Sequence, residues 1–210
     1  MRKFRFTNNE YYHILNRGVD KREVFLDYDD TARFFQSMHE FNTIEPIGSI
    51  FENSFRKPFG NPISKSKKLV NFVCYCLNPN HYHFLLEQLI DNGIEKFMQR
   101  LGIGYTKYFN KKNDRVGALF QGKYKAIHID SNEYLLHLSA YINLNDRIHS
   151  LGNPISKSSW DEYINNNRVG FCKKDIILDQ FNNLNEYKEF AESSLIDIRE
   201  KKEMEKLLLE

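Results

Sequence analysis

The stretch Cys76–Gln88, which reads CLNPNHYHFLLEQ, decides how the rest of the sequence can fold. Its loop residues Asn78–Asn80 stand between two apolar runs, a pattern typical of a β-hairpin. Side chains alternate across a strand, so we expect His81 and His83 on one face of the second strand. Two neighbouring imidazoles on a rigid strand can hold a divalent metal, and the alternative is two histidines of a half-buried strand.

Two cysteines just before the histidines raise the question of a zinc site. If residues 78–80 form a three-residue loop, Cys76 lies opposite Tyr82. Cys74 and Cys76 then point away from the face that carries the histidines. This register argues against a structural Cys2His2 zinc site and favours the cysteines as small apolar core residues.

Length and composition indicate the class of protein. A chain of 210 residues is long enough for one domain with a real core and a C-terminal extension. The net charge of +2 is nearly neutral, so a basic surface for nucleic acid must be local. An odd number of cysteines favours a reducing compartment, and no stretch reaches transmembrane length. We therefore expect a cytoplasmic protein with no membrane partner.

Apolar spacing predicts alternating strands and helices along the chain. Their order is strand, helix, strand, strand, helix, strand and helix, at Tyr11–Leu15, Thr31–Phe41, Leu69–Leu77, His81–Glu87, Gly93–Asn110, Ala118–Asp130 and Asn132–His149. This order favours an α+β, ferredoxin-like fold with a central antiparallel sheet and helices on its faces. Further helices are predicted at Asp175–Phe181, Glu186–Phe190 and Leu195–Leu209.

Two features leave alternatives open. The irregular, basic stretch Thr43–Lys68 is either a flap over a polyanion or a solvated loop. His13, in the first strand, is either a further metal ligand or a packed strand histidine, and the packed histidine is favoured.

Several segments resemble the IS200/IS605-like single-tyrosine (Y1) transposases of the HUH group, and above all the REP-associated tyrosine transposases. The stretch Asn78–His83 is similar to the His-hydrophobe-His motif of that family. The stretch Tyr141–Asn145, which reads YINLN, is similar to its catalytic tyrosine helix, and Gly117–Lys125 to the block between them. The likeness extends from about Tyr11 to Phe190.

The chain departs from the pattern of that family at two places. The loop at 43–68 is longer than expected, and Asp146 stands where the subgroup usually has proline. Neither departure touches a proposed catalytic group.

The resemblance implies a fold and a domain organisation. Residues 1–152 would form an HUH sandwich with a basic loop inserted at about 43–68. Residues 153–210 would form a C-terminal helical extension. Family members are often dimers, so a homodimer is among the partners that the resemblance implies.

The resemblance also implies an activity, namely a metal-dependent endonuclease and strand transferase for single-stranded DNA, acting at hairpins of the REP or element-end type. Tyr141 would be the nucleophile and would form a 5′-phosphotyrosine. Tyr134 and Tyr124 are the competing tyrosines. The alternative function is a non-catalytic, ferredoxin-like module that binds nucleic acid by stacking bases on sheet aromatics.

By the same resemblance, His81 and His83 would be two ligands of Mg²⁺ or Mn²⁺. The side-chain carbonyl of Asn145 would supply an oxygen ligand, with Glu87 as the reserve candidate. DNA contacts are expected from one further set of residues, for each of which a solvated surface position is the alternative. This set comprises Arg17, Lys107, Lys112, Arg115, Gln121, Lys123 and Lys125.

Overall fold

The computed structural model describes residues 5–52, 67–148, 155–165 and 170–207. The strands are β1 (Tyr11–Arg17), β2 (Val70–Asn78), β3 (His81–Gln88), β4 (Lys125–His128) and β5 (Lys157–Ser158). The longer helices are α1 (Tyr28–Glu40), α2 (Gly93–Lys112), α3 (Asn132–Asn143) and α7 (Leu184–Leu207). Short helices are α4 (Asn145–Ile148), α5 (Trp160–Ile164) and α6 (Asp175–Leu178), and a 3₁₀ turn covers Val19–Lys21. None of the helices in the described ranges is long and apolar enough to cross a membrane.

The five strands form one antiparallel sheet in the order β4-β1-β3-β2-β5. The first four strands in this order follow the ferredoxin-like arrangement, and β5 extends the sheet beyond β2. The central strands β1 and β3 pair along their whole length, from Tyr11 opposite Glu87 to Arg17 opposite His81. The predicted α+β fold with a central antiparallel sheet is therefore confirmed.

Helices α1 and α2 cover one face of the sheet with an aromatic core. Phe34 of α1 lies 4.7 Å from the ring of Tyr105 in α2 and 5.3 Å from Tyr82 in β3, measured between ring centroids. Phe34 and Tyr105 are fully buried, and the Tyr105 hydroxyl donates to the Val24 carbonyl at 2.6 Å. Each buried aromatic ring removes a large apolar area from water, and this burial stabilises the packing of α1 and α2 on the sheet.

Helices α3 and α7 cover the opposite face, on which the histidines lie. Apolar side chains from both helices pack there with Cys74 and Leu85 of the sheet. A buried polar network joins the layers, since the Ser159 hydroxyl donates to Asn143 Oδ1 at 2.6 Å and Asn143 Nδ2 donates to the Tyr187 hydroxyl at 2.9 Å. Both faces of the sheet are therefore covered by helices.

The β2–β3 hairpin has a different register from the predicted one. Cys76 pairs with His83, not with Tyr82, because the turn contains two residues, 79 and 80, rather than three. Cys74 and Cys76 consequently lie on the histidine face. The prediction that the two cysteines point away from the histidines is therefore wrong, and with it the argument that this register excludes a zinc site.

The short turn of this hairpin is fixed by the segment that follows β1. The carbonyl of Pro79 accepts from Val24 and Phe25 at 2.7 and 3.0 Å, and the carbonyl of Asn80 accepts from Gly18 at 2.8 Å. Proline suits the second position of a four-residue turn because its φ is already restricted. Neither contact is visible in the local sequence, which explains the error in register.

The strand predicted at Ala118–Asp130 is too long. Only β4 is regular, because Gly122 has a φ of +67° and Phe120 forms only an isolated bridge with Gly18. A positive φ is compatible with glycine but not with a continuing strand. The preceding residues form an irregular segment beside β1.

The helix predicted at Asn132–His149 is interrupted at Leu144, whose φ and ψ are −109° and 14°. Helix α3 ends one residue earlier, and α4 begins at Asn145. The buried hydrogen bonds of Asn143 hold the end of α3 in the polar network described above. His149 lies outside the described residues.

The helices predicted separately at Glu186–Phe190 and Leu195–Leu209 belong to one continuous helix, α7. Tyr187, Ala191 and Leu195 recur at helical spacing along it and are buried against the α3 side of the sheet. Leu209 lies outside the described residues.

Of the basic loop predicted at 43–68, residues 53–66 lie outside the described residues. The described ends of the loop are joined by a hydrogen bond from the Ile44 amide to the Lys67 carbonyl at 3.0 Å. The side chain of Asn42 also accepts from the amides of Leu69 and Val70, each at 3.0 Å.

Candidate active site

The candidate site lies on the sheet face beneath α3. His81 and His83 share this face with ring centroids 5.2 Å apart, which confirms the predicted alternation. The Tyr141 ring, carried by α3, meets the His83 ring edge-on at 5.6 Å and the His13 ring at 6.5 Å. The structure thus brings the candidate nucleophile beside the candidate metal ligands.

Asn145 is the first residue of α4 and points its side chain at the end of the hairpin. Its Oδ1 accepts from Asn78 Nδ2 at 2.7 Å and lies 3.2 Å from His81 Nε2. Asn78 and Asn145 are both completely buried. Although the helix is interrupted, Asn145 still reaches the histidine pair, as expected from its spacing after Tyr141.

The ring of His81 has a defined proton arrangement. Its Nδ1 lies 2.6 Å from Oδ1 of Asn80, an atom that can only accept a hydrogen bond. Nδ1 therefore carries the proton in the neutral ring, and the lone pair of Nε2 accepts from Asn78 Nδ2 at 3.0 Å. This is the form of histidine that can bind a metal through Nε2.

His13 contacts His83 from the neighbouring strand. Its Nε2 lies 2.9 Å from His83 Nδ1, and the two ring planes are inclined by 25° with centroids 5.1 Å apart. Burial lowers the pKa of His13 to about 4, so this imidazole is neutral at pH 7. The contact engages Nε2 of His13 with His83, in agreement with the favoured interpretation as a packed strand histidine.

Tyr141 is partly buried, and burial raises the pKa of its phenol. An interaction with the side chain of Asn145 acts in the opposite direction and lowers it. The net direction is upward, so the hydroxyl is protonated at neutral pH in this state of the site.

The competing candidates lie elsewhere. Tyr134 is seven residues before Tyr141, about 10 Å along the helix axis. Tyr124 packs against the core on the other face of the sheet. Glu87 is four residues beyond His83, about 13 Å along the strand, and its carboxylate accepts from Asn71 Nδ2 at 2.7 Å.

The donor atoms at this site fit a small divalent cation. Two ligands at right angles, each about 2.1 Å from a metal, lie about 3.0 Å apart, close to the 3.2 Å between His81 Nε2 and Asn145 Oδ1. Mixed imidazole and oxygen donors suit Mn²⁺ and accommodate Mg²⁺. In the described ranges no group of three or more His, Cys, Asp or Glu side chains is placed to hold a metal; the set at this site consists of two histidines and an amide.

A cavity of about 660 Å³ opens beside the two histidines on the side of β1 and β4. Four residues from the predicted DNA-binding set line it, namely Arg17, Gln121, Lys123 and Lys125. Lys21 lines it as well, and no carboxylate of the described residues does. The cavity therefore offers a positively charged approach to His81 and His83.

The other three residues of that set lie apart from this cavity. Lys112 donates to Asp27 at 2.7 Å and to Asp30 at 2.8 Å. Burial acts to lower the pKa of Lys112, but its hydrogen bonds to these carboxylates outweigh burial and raise the pKa. Lys112 thus joins the start of α1 to α2. Arg115 bonds to Asn110, and Lys107 lines cavities on the α2 side of the sheet.

Sequence reasoning missed the contributions of Asn78 and Asn80, whose side chains orient Asn145 and His81. Asparagine in an Asn-Pro-Asn stretch indicates a turn, and this signal does not show which residues the side chains of Asn78 and Asn80 contact.

Comparison with known proteins agrees with this geometry. Residues 49–145 match the family model described as transposase, IS200 like. Over this segment, the chain is similar to the IS200-like transposases. The matched segment contains the histidine pair, Tyr141 and Asn145, and it begins after β1. The resemblance inferred from the sequence is confirmed.

A solved structure of a REP-associated tyrosine transposase bound to a REP hairpin has the same fold, with a TM-score of 0.50. The two proteins share 12% identity, and the alignment covers 81% of this chain and 88% of that one. A comparison with curated proteins found no match. The chain shares its fold with that transposase while differing in most of its residues.

The buried His13 predicts a pH dependence of stability. Its pKa is lowered from 6.5 to about 4 in the folded protein, so the unfolded chain binds the proton more readily between these values. The stabilisation is complete above pH 6.5 and is lost as the pH falls toward 4. The free energy of unfolding is measured by urea titration of the metal-free protein at pH 7 and at pH 4.5. Its loss between these two pH values should be about 2 to 3 kcal/mol smaller in His13→Phe than in the wild type.

His128→Phe is the control, because that exposed ring pairs with Glu10 at the surface. An equal loss of stability between pH 7 and 4.5 in wild type and His13→Phe would contradict a buried neutral imidazole.

Proposed function

We propose that the protein is a metal-dependent endonuclease and strand transferase for single-stranded DNA, with Tyr141 as the nucleophile and hairpin DNA as the partner. The observation that carries the proposal is the packing of Tyr141 against His83, with Asn145 of the next turn directed at His81. Three elements of the fold thus bring a tyrosine, two histidines and an amide together in one partly buried site.

His81, His83 and Asn145 would hold the cation, a Mg²⁺ or Mn²⁺ ion. When bound, the ion neutralises charge on the phosphate oxygens that would otherwise repel a nucleophile. Asn80 and Asn78 keep His81 and Asn145 oriented in its absence. Asn78 Nδ2 lies within hydrogen-bond distance of both His81 Nε2 and Asn145 Oδ1, so its amide would have to release these two atoms when the cation binds.

The covalent step exchanges one phosphate ester for another. The hydroxyl oxygen of Tyr141 bonds to phosphorus while the bond from phosphorus to the 3′ oxygen of the preceding nucleotide breaks. The phenol proton passes to water, and the departing 3′ oxygen takes a proton from water. The products are a 5′-phosphotyrosine and a free 3′-OH, so a 3′-OH can later reverse the step without a nucleotide cofactor.

The positively charged cavity beside the histidines fits an approaching DNA strand. Its lining cations would neutralise phosphates on both sides of the bond to be cut. The transposase of similar fold is bound to a REP hairpin, which supports a hairpin as part of the substrate here.

The coverage of the sheet disfavours the alternative of a non-catalytic, base-stacking module. Such a module needs aromatic side chains on an open sheet surface. Here Tyr12, Tyr82 and Phe84 are buried beneath α1 and α2, with exposed fractions of 2% or less. These rings are not available to stack on bases.

Tyr141→Phe tests the nucleophile. The change removes one oxygen and keeps the ring, so the variant should fold and bind Mn²⁺ and DNA but form no covalent adduct. The measurement is denaturing electrophoresis of the protein after incubation with labelled single-stranded hairpin DNA and Mn²⁺, followed by mass spectrometry of the adduct.

Tyr134→Phe is the matched control on the same helix and should form the adduct at the wild-type rate. An adduct of undiminished yield in Tyr141→Phe, or DNA attached to Tyr134 or Tyr124 in the wild type, would refute the assignment.

Replacing Lys123 and Lys125 with alanine tests the DNA path. If each lysine neutralises one phosphate of a single strand, the plot of log affinity against log salt should become shallower by roughly 1.4. Binding is measured by fluorescence anisotropy without metal. The control replaces Lys96 and Lys188, both exposed and outside the cavity, with alanine and should keep the wild-type slope. An equally shallow slope in the two double variants would contradict the assignment of the cavity as the binding path of the DNA strand.

A further inference from the structure

His13 occupies a defined place next to a proposed metal ligand. In the β1–β3 pairing, Leu15 lies opposite His83 and His13 lies opposite Leu85, so the two histidines are diagonal neighbours on one face. The atoms in contact are His13 Nε2 and His83 Nδ1, at 2.9 Å. Both side chains are 6% exposed. The contact is therefore a buried hydrogen bond between imidazoles of adjacent central strands.

A hydrogen bond between these two nitrogens contains one proton, and its position decides what His83 can do. If the proton is on His13, the Nδ1 of His83 holds a lone pair and its Nε2 carries hydrogen, which prevents Nε2 of the neutral ring from binding metal. If the proton is on His83 Nδ1, the lone pair is on Nε2. Only this second arrangement leaves His83 competent as an Nε2 ligand.

We propose that His13 is a positioning residue that accepts the Nδ1 proton of His83 and so fixes the His83 ring with its Nε2 lone pair available to the cation. The inference rests on the proposed function, because it assigns a role toward the same metal site. His13 is not itself a ligand in this account, since its Nε2 is engaged with His83.

The arrangement at His81 supports this role by analogy within the same site. There the side-chain Oδ1 of Asn80 lies 2.6 Å from Nδ1 and leaves Nε2 as the lone-pair atom. Each proposed histidine ligand thus has its own partner on the nitrogen away from the metal. Such partners orient a ligating ring and increase its basicity, and their loss typically costs about 10- to 100-fold in metal affinity.

The ring of His13 also limits rotation of His83. The ring planes are inclined by only 25° at a centroid distance of 5.1 Å, and the Tyr141 ring closes the space from the helix side at 5.6 Å from His83. His83 is therefore held by a hydrogen bond and by an edge contact with Tyr141. A replacement that keeps a ring at position 13 but removes the acceptor isolates the hydrogen bond.

His13→Phe is that replacement, and His13→Gln restores an acceptor oxygen on a side chain of similar reach. Isothermal titration with Mn²⁺ in the absence of DNA should show a 10- to 100-fold weaker affinity in His13→Phe. His13→Gln should recover at least half of that loss on a logarithmic scale. His128→Phe, which changes an exposed histidine of β4, should bind as the wild type does.

A second measurement reads the tautomer directly. In metal-free wild type, ¹⁵N spectra of the histidine side chains should show His83 protonated on Nδ1, and in His13→Phe a mixture of tautomers. Circular dichroism and thermal unfolding of each variant establish that it is folded. If His13→Phe does not fold, the wild-type tautomer and the Mn²⁺ affinity of His13→Gln decide the matter.

The outcomes separate this inference from the proposed function. A wild type that binds no Mn²⁺ contradicts both. A wild type that binds Mn²⁺ and forms the Tyr141 adduct, together with equal affinity in His13→Phe or a wild-type His83 protonated on Nε2, contradicts only the role of His13. Weaker binding in His13→Phe, recovery in His13→Gln and Nδ1 protonation of His83 support it.

Discussion

The hydrogen bond of 2.7 Å between Asn78 and Asn145 joins the two halves of the candidate site. Asn78 ends β2 directly opposite His81, and Asn145 begins α4, the short helix that follows α3. Both amides are completely buried, so breaking this bond would remove a hydrogen bond that water cannot replace, at a cost of about 1–3 kcal/mol. The contact therefore fixes how α3 lies on the sheet and carries Tyr141 to the histidines.

Much of the fold follows from patterns within the chain. Strand and helix periods predicted β1 to β3, α1 and α2 nearly at their observed bounds, because each of these elements buries a regular apolar stripe or face. The errors arose where tertiary contacts override local pattern. Gly122 interrupts a predicted strand through its positive φ, and Leu144 interrupts a predicted helix beside a buried polar network.

The candidate site was predictable to a similar extent, and its limits have a physical cause. Alternation along β3 gives the shared face of His81 and His83, and helical spacing brings Asn145 near Tyr141. The hairpin register depends instead on contacts that a distant segment makes with the turn carbonyls, so it could not be derived locally. The contact of His13 with His83 depends on that same assembly, because it crosses between strands far apart in the sequence.

The measurement that tests the central claim most directly is anomalous X-ray diffraction from crystals of the protein soaked in Mn²⁺. The account predicts an anomalous peak about 2.0–2.5 Å from His81 Nε2, His83 Nε2 and Asn145 Oδ1, beside the Tyr141 hydroxyl. A peak bound by other residues, or crystals that hold Mn²⁺ only at surface carboxylates, would contradict the assignment of this sheet face as the metal and nucleophile site.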